Sequence, residues 1–153
     1  MTIRPLDRSD RAALAFVFSR LSAQSRYQRF LFPRRDPSRA ELEQLIKIDH
    51  WHAETVIAFD DVPRRPLGTA RYVRLNEFDV ADIAVEVADE WQRRGVGRAL
   101  MRELRARALR AGIRHFQATM LSENRGARAL AEELGRTEVT GVDHGALELV
   151  IHL

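Results

Sequence analysis

The chain has 153 residues, of which 45% are hydrophobic and 31% are charged, and these are ordinary values for a globular domain. We expect one domain over residues 1–153, because this length suffices to bury a core. The absence of cysteine excludes disulfides, a thiol nucleophile and cysteine metal sites. No apolar run has membrane-spanning length and no signal-peptide pattern is present, so we expect a cytoplasmic protein without a membrane partner.

The formal net charge of +3 comes almost entirely from arginine, since Lys47 is the only lysine. A basic surface favours polyanionic partners in general. The arginines are nevertheless interspersed with acids and no nucleic-acid-binding motif is present, so we expect no nucleic-acid partner. The five histidines show no metal-ligand spacing, and we expect no metal.

The N-terminal third predicts a strand followed by helices. Proline within Ile3–Leu6 removes one ladder donor, so this strand is expected at a sheet edge. Asp7 or Ser9 is a suitable N-cap for the next helix, and Ser38 with Glu41 has the spacing of a capping box. The predicted helices extend from this first cap to Leu21, over Ser22–Phe32, and from Ser38 to Ile48.

The rest of the chain alternates strands with two helices. Glu54–Phe59 and Leu67–Leu75 flank a proline-containing turn and predict a hairpin. The later elements are a strand ending at Val87, a helix over Gly97–Leu109, a strand over His115–Leu121, a helix from Asn124 to Gly135, and strands over Thr137–Thr140 and Ala146–Leu153. This order predicts an α/β fold with a mixed sheet and helices on both faces.

The stretch Asp82–Met101 carries the most informative motif. An apolar β-branched run leads into a loop with Gly95 and Gly97, and an amphipathic helix follows. Free peptide N–H groups and the positive end of the helix dipole make such a turn a socket for phosphate. Nearby arginines add positive charge. The alternative is a plain turn with basic solvated flanks, because two glycines alone are weak evidence.

A second motif, after the strand that ends at Leu121, favours the phosphate socket, because the two motifs together resemble those of a known family. Val87 stands five residues before Gln92-Arg-Arg-Gly-Val-Gly97, and the strand ending at Leu121 is followed by Asn124-Arg-Gly-Ala-Arg-Ala-Leu130. In this order the two motifs resemble the GNAT family of N-acetyltransferases. The segment Leu21–Phe30 is similar to the acetyltransferase domain of bacterial Pat-type protein-lysine acetyltransferases. Regulation by a fused domain is not expected.

The resemblance implies a GNAT fold: a mostly antiparallel sheet of six to seven strands with a splayed central parallel pair. It also implies acetyl-CoA as co-substrate, with Val85 to Val87 pairing with the pantetheine arm and the Val87 N–H donating to the thioester oxygen. Asn124 either bonds the cofactor arm or only caps its own helix. The residues implied in pyrophosphate binding are Gln92, Arg93, Arg94, Gly95, Val96, Gly97 and Arg98.

Two acids are candidates for the catalytic base that deprotonates an amine. Asp82 stands where Pat-type enzymes carry a glutamate, and its shorter side chain favours proton transfer through water. Glu86 is the second candidate, since strand alternation puts both acids on one face unless a bulge intervenes. Either acid could instead be solvated or paired with arginine. The leaving-thiolate acid has no assignment, because Ala131 occupies the position of the family's tyrosine.

The predicted function is transfer of an acetyl group from acetyl-CoA to a primary amine by direct attack. The acceptor is a protein lysine, a protein N-terminus or a small amine, and the Pat-type resemblance favours lysine. The alternative is a CoA-binding sensor or partner module with reduced catalysis, which the missing tyrosine supports. A homodimer is possible under either interpretation.

Overall fold

Seven strands form one mixed sheet in a computed structural model that describes residues 1–153. The strands are β1 (Thr2–Pro5), β2 (Ala53–Phe59), β3 (Pro66–Arg74), β4 (Val80–Val87), β5 (His115–Leu121), β6 (Arg136–Asp143) and β7 (Ala146–His152). Their spatial order is β1-β2-β3-β4-β5-β7-β6. Every neighbouring pair is antiparallel except β4 and β5. The predicted mixed, mostly antiparallel sheet is therefore confirmed.

Five α-helices cover the sheet, namely α1 (Arg11–Ser19), α2 (Ala23–Phe30), α3 (Arg39–Leu45), α4 (Val96–Arg110) and α5 (Arg125–Leu134). The predicted capping box forms at α3, where the Ser38 hydroxyl accepts from the Glu41 N–H and Glu41 accepts from the Ser38 N–H. The Ser22 hydroxyl caps α2 in the same way, through the Ser25 N–H. Local side chains thus satisfy the first N–H groups of both short helices.

Each face of the sheet has its own core. On one face α4 and α5 pack on alternate residues of the strands, and Val56, Ala70, Tyr72, Leu100 and Leu104 are buried there. On the other face α1 and α3 pack over Ile57 and Phe59 in a smaller cluster. Strand alternation assigns neighbouring residues to opposite faces. The predicted placement of helices on both faces is confirmed.

Several predicted boundaries need correction. The central strand starts at Val80 rather than at the acidic residue Asp82. Its pairing with β3 extends back to Ala81, which lies opposite Arg74. Asp7 rather than Ser9 provides the first cap, and it caps a short 3-10 turn before α1. The last hairpin is longer than predicted, since β6 continues to Asp143 through an irregularity between Val139 and Gly141.

No helix in residues 1–153 combines the length and the apolar character needed to cross a bilayer.

Candidate active site

The sheet opens between its only parallel pair of strands. β4 and β5 are paired at Val80, Ala81 and Asp82, opposite His115–Gln117, and pairing stops there. β4 nevertheless continues to Val87, held on its other edge by β3. The two parallel strands therefore diverge beyond Asp82 and leave a gap in the sheet. The splayed central pair is confirmed.

The peptide groups of Val85 and Val87 face this gap. In an antiparallel ladder, residues alternate between bonding to the neighbouring strand and pointing away from it. The Ala88 N–H donates to the Leu67 carbonyl oxygen at 2.9 Å, and Ala88 continues the register in which Val87 lies opposite Gly68. Val85 and Val87 consequently point away from β3, toward β5. An extended ligand in the gap can hydrogen-bond to them as an added strand would.

The loop after β4 presents unpaired amides. The N–H groups of Arg93, Arg94 and Gly95 donate to no acceptor in the protein, and the first N–H groups of α4, which starts at Val96, have no intrahelical partner. Arg93 and Gly95 have positive φ angles of 59° and 84°. These turns aim successive amides outward, where they and the helix dipole form an anion site.

Gln92 differs from its neighbours in this loop. Its side-chain Nε2 donates to the Val87 carbonyl oxygen at 3.1 Å and also lies 3.2 Å from Ser25 Oγ. Its backbone N–H is bonded to the Asp89 carbonyl oxygen. Gln92 therefore fastens the loop to the end of β4 and to α2, and its own amide is not among the free ones.

The three loop arginines have different surroundings. Arg93 is exposed and has no ion-pair partner. The Arg94 guanidinium lies 5.0 Å from the centre of the Trp91 ring, and the buried indole N–H of Trp91 has no acceptor. Arg98 is held by Glu133 of α5 at 2.6 Å, and this bond raises the pKa of Arg98. Arg93 and Arg94 are thus the free cations of the loop.

Close packing and capping join α4 to α5. A Cβ on Gly97 would lie 3.3 Å from Leu130 Cδ1, a distance tighter than ordinary contact, so glycine permits this approach. The side chain of Val96 is buried in the same core. Asn124 Oδ1 accepts from the Ala127 N–H at 3.1 Å and caps α5. The capping role of Asn124 is therefore real, and its amide nitrogen is free to donate to a ligand.

Asp82 and Glu86 share one face of β4, as strand alternation predicts. The register between β3 and β4 is continuous from Gly68 opposite Val87 to Arg74 opposite Ala81, so no bulge interrupts it. This is the face that α1, α2 and α3 cover. The two acids differ sharply in their surroundings.

Asp82 is solvent-accessible and its carboxylate has no ion-pair partner, with the backbone N–H of Ile83 as its hydrogen-bond donor. Surrounding protein nevertheless displaces part of its water shell. This desolvation raises the pKa of the Asp82 carboxyl, while the positive charge of Arg29 acts in the opposite direction. Asp82 is thus a carboxylate with free lone pairs and an elevated pKa, which suits a proton acceptor.

Glu86 is buried and fully engaged. One carboxylate oxygen is ion-paired with Arg29 of α2, and the other accepts from the Thr69 hydroxyl at 2.8 Å. Its side chain is only 4% exposed. The alternative of an arginine-paired acid therefore describes Glu86 in this structure, and a carboxylate with both oxygens occupied is a poorer proton acceptor.

A cavity of about 280 Å³ lies between the three N-terminal helices and strands β2, β3 and β4. Its polar lining includes Arg29, Thr55, Thr69, Arg71 and Glu86. Of these residues, only Glu86 was predicted from the sequence as a site residue. The alternation of polar Thr69 and Arg71 along an otherwise apolar strand was the available signal, because two polar residues on one face imply a polar surface above that face.

Ala131 has no hydroxyl that could protonate a leaving thiolate, at the position where the family's tyrosine is expected. Ala131 is buried in the core between α5 and the sheet. Tyr72 is also buried, with its ring 6.4 Å from that of Phe116, on the face covered by α4. Tyr27 lies on α2 and is 40% exposed. The structure contains no group of three or more His, Cys, Asp or Glu side chains that could hold a metal ion.

Comparison with known proteins agrees with this geometry. Acetyltransferase PA5475 of Pseudomonas aeruginosa is 35% identical over 135 residues, which cover 87% of this chain and 73% of that protein. Acetyltransferase Pat of Mycolicibacterium smegmatis is 31% identical over 74% of this chain, which spans about a third (34%) of that longer relative. A crystal structure of the GNAT domain of S. lividans PAT superposes with a TM-score of 0.88 at 26% identity, covering 99% of this chain and 89% of that one.

The model of the acetyltransferase (GNAT) family matches residues 21–135, most of the chain. The matched range contains both halves of the gap, the loop with the free amides and the caps of α4 and α5. The chain therefore belongs to the acetyltransferase (GNAT) family, which confirms the acetyl-CoA-dependent acetyltransferase class predicted from the sequence.

Proposed function

We propose that the chain transfers an acetyl group from acetyl-CoA to a primary amine by direct attack, without a covalent enzyme intermediate. The observation that carries this proposal is the combination of a gap between β4 and β5 with a loop of free amides at its end. A pantetheine arm is extended and amide-bearing, so it suits the first feature, and a pyrophosphate suits the second.

The diphosphate is proposed to bind the amides of Arg93 to Gly97, with the side chains of Arg93 and Arg94 adding positive charge. Val85 and Val87 bind the pantetheine arm through their peptide groups. The amide nitrogen of Asn124 donates to the same arm from the α5 side. Gln92 and Arg98 act indirectly, since one fastens the loop and the other joins α4 to α5.

Asp82 is the proposed base, acting through water. The ammonium form of the acceptor gives a proton to this water, which passes a proton to the Asp82 carboxylate. The free amine nitrogen then attacks the thioester carbonyl carbon. The carbon–sulfur bond breaks as the intermediate collapses, and the second proton of the nitrogen passes through water to the departing thiolate. Asp82 then releases its proton to solvent. The raised pKa of Asp82 supports this role because it makes the carboxylate more basic.

The Val87 N–H is the proposed donor to the oxyanion that forms during attack. It points into the gap at the strand end, and a donor placed where negative charge develops lowers the barrier by about 3 kcal/mol in other acyl-transfer enzymes. No side chain is assigned to protonate the leaving thiolate. A thiolate is a stable enough anion to depart and take a proton from water.

Two measurements test this proposal together. Calorimetric titration should show acetyl-CoA and CoA binding to the folded protein. Thiol release should then depend on an added primary amine. Binding without amine-dependent thiol release across a broad panel of amines and lysine peptides would instead support the CoA-binding sensor, the alternative that Ala131 keeps open.

A further inference from the structure

The cavity above β3 contains one arginine without an ion-pair partner. Its lining contains three arginines and two glutamates. Two of the arginines are neutralised, because Arg29 pairs with Glu86 and Arg34 pairs with Glu41. Arg71 has no carboxylate within ion-pair distance and donates only to the Leu45 carbonyl oxygen, at 3.0 Å. A guanidinium carries five N–H donors, so most of those of Arg71 are unused.

An unpartnered hydroxyl lies beside this arginine. Thr55 is 3% exposed, and its Oγ1 is buried without a hydrogen-bond partner. Thr55 is the direct cross-strand neighbour of Arg71, and both residues line the cavity. Buried polar groups are normally satisfied, because leaving them unpaired costs free energy. A buried hydroxyl without a partner, next to a partly buried guanidinium with spare donors, points to an anionic partner in this cavity.

We propose that Arg71 and Thr55 bind a carboxylate of the acceptor, so that the preferred acceptors are small amines carrying a carboxylate. This inference rests on the proposed acetyl transfer and specifies its substrate class. Arginine binds carboxylate through two parallel hydrogen bonds, and Thr55 supplies a third donor. A polyamine is disfavoured at the same place, since it would bring positive charge next to a guanidinium that has no ion-pair partner.

The spacing of the groups limits the acceptor to a compact molecule. Arg71 lies opposite Ala84, which stands between Asp82 and Glu86 on β4. Diagonal neighbours of this kind lie about 7–8 Å apart, with their Cβ atoms somewhat closer. An acceptor that reaches both side chains therefore carries its amine and its carboxylate within one compact molecule. The cavity volume of about 280 Å³ also suits a small amine better than a folded polypeptide segment.

The test compares matched acceptors with and without the carboxylate, with kcat/KM expressed per concentration of the unprotonated amine, because the amide group also lowers the pKa of the amine. Glycine, β-alanine and γ-aminobutyrate are each paired with the corresponding primary amide, and kcat/KM is measured by thiol release with acetyl-CoA. We expect at least one carboxylate to be preferred over its amide by about tenfold or more, as for hydrogen bonds to charged groups. R71Q should reduce that preference below about threefold by removing the charge and the paired donors.

The control is R65Q, which removes the same charge from an exposed turn residue whose side chain has no partner. It should keep the carboxylate preference. If R71Q fails to fold, the carboxylate preference is measured in T55V and in the wild type instead. T55V should show a smaller preference than the wild type, because it lacks the hydroxyl donor. A wild type with no carboxylate preference, or an R71Q variant that retains it, overturns the inference. Turnover of lysine peptides, with none of the small carboxylate-bearing amines, would also overturn the inference. The proposed acetyl transfer would still hold.

A readout independent of turnover separates the two proposals. The thermal shift caused by each carboxylate is compared with that caused by its amide, in wild type and R71Q. A larger shift with the carboxylate, lost in R71Q, supports the anion site even if acetyl-CoA does not bind. If each carboxylate and its amide give equal thermal shifts and equal kcat/KM values, the anion site is contradicted. The proposed acetyl-CoA binding is not affected by that result.

Discussion

Gln92 Nε2 donates a hydrogen bond to the carbonyl oxygen of Val87 at 3.1 Å and joins the loop of free amides to the strand that borders the gap. The same nitrogen lies 3.2 Å from Asp89 Oδ1, so one side chain fastens the middle of the loop to its β4 end. This contact explains how an exposed loop keeps free amides aimed in one direction. Pre-positioned donors bind a ligand better because their ordering cost is already met by folding.

We predict that Q92A weakens acetyl-CoA binding about fivefold, the effect of one neutral hydrogen bond. The loop loses its anchor and must be ordered by the ligand, whereas turnover at saturating acetyl-CoA stays near the wild-type value. Calorimetric titration measures the affinity. N76A, in an exposed loop whose side chain makes no hydrogen bond, is the control. Equal affinities for wild type and Q92A would exclude an anchoring role.

We predict that G95E abolishes measurable acetyl-CoA binding. Gly95 has a φ of 84°, and a Cβ there would meet no protein atom within 4 Å, so the main effect of the glutamate is the negative charge that it brings to the proposed phosphate site. G145E is a matched control, because Gly145 has a φ of 80° and equally open space in the β6–β7 turn. Each variant should lose about 1 kcal/mol of stability from backbone strain.

Calorimetry should therefore show binding by G145E and none by G95E. If both variants bind acetyl-CoA as the wild type does, the phosphate site lies elsewhere. If both fail to bind, general destabilisation accounts for the loss, and circular dichroism will show it.

We predict that D82N lowers kcat/KM for the amine by roughly 10²–10⁴-fold, the usual contribution of a general base. Acetyl-CoA affinity should stay unchanged, because the asparagine keeps the shape of the side chain. E86Q provides the comparison: it should lower turnover less and lower stability more, since it leaves Arg29 without its carboxylate partner. The reverse ranking of the two variants would make Glu86 the base.

The pH dependence of stability gives a second test of Asp82. Desolvation raises the pKa of Asp82 above its ordinary value of 3.8, so the folded state disfavours the ionised form. The resulting destabilisation is absent below pH 3.8 and is complete once the pH exceeds the raised pKa. D82N removes it, and we expect this variant to be more stable than wild type at pH 7.

This gain should shrink as the pH falls toward 3.8, in denaturant unfolding measured across that range. E123Q removes a charge from an exposed residue without a side-chain partner and should show no such trend. A D82N variant that is less stable than wild type at neutral pH would mean that the ionised carboxylate is favoured by folding.

The elements around the gap were predictable because their signals are local. The apolar run before Val87, the glycines at 95 and 97 and the Asn124 cap each determine nearby backbone geometry, and the structure has them in the predicted order. Strand alternation likewise placed Asp82 and Glu86 on one face. The two-residue period of a strand suffices for that inference, since the two acids are an even number of residues apart.

The cavity was not predictable, because its lining comes from residues far apart in sequence. Arg29 reaches Glu86 across 57 positions, and this pairing depends on how α2 packs over β4. Thr55 and Arg71 become neighbours only through the register between β2 and β3. Local propensity contains no information on such contacts. The resemblance to lysine acetyltransferases therefore favoured one acceptor class, whereas the cavity favours another.

The most direct test of the central claim is an NMR titration of the 15N-labelled protein with coenzyme A. We predict large shift changes for the backbone amides of Arg93 to Gly97, with smaller ones for Val85 and Val87 along the gap. The amides of β1 and β6 at the two sheet edges should not change. Coenzyme A binding that leaves the amides of residues 93–97 unperturbed at saturation would contradict the account.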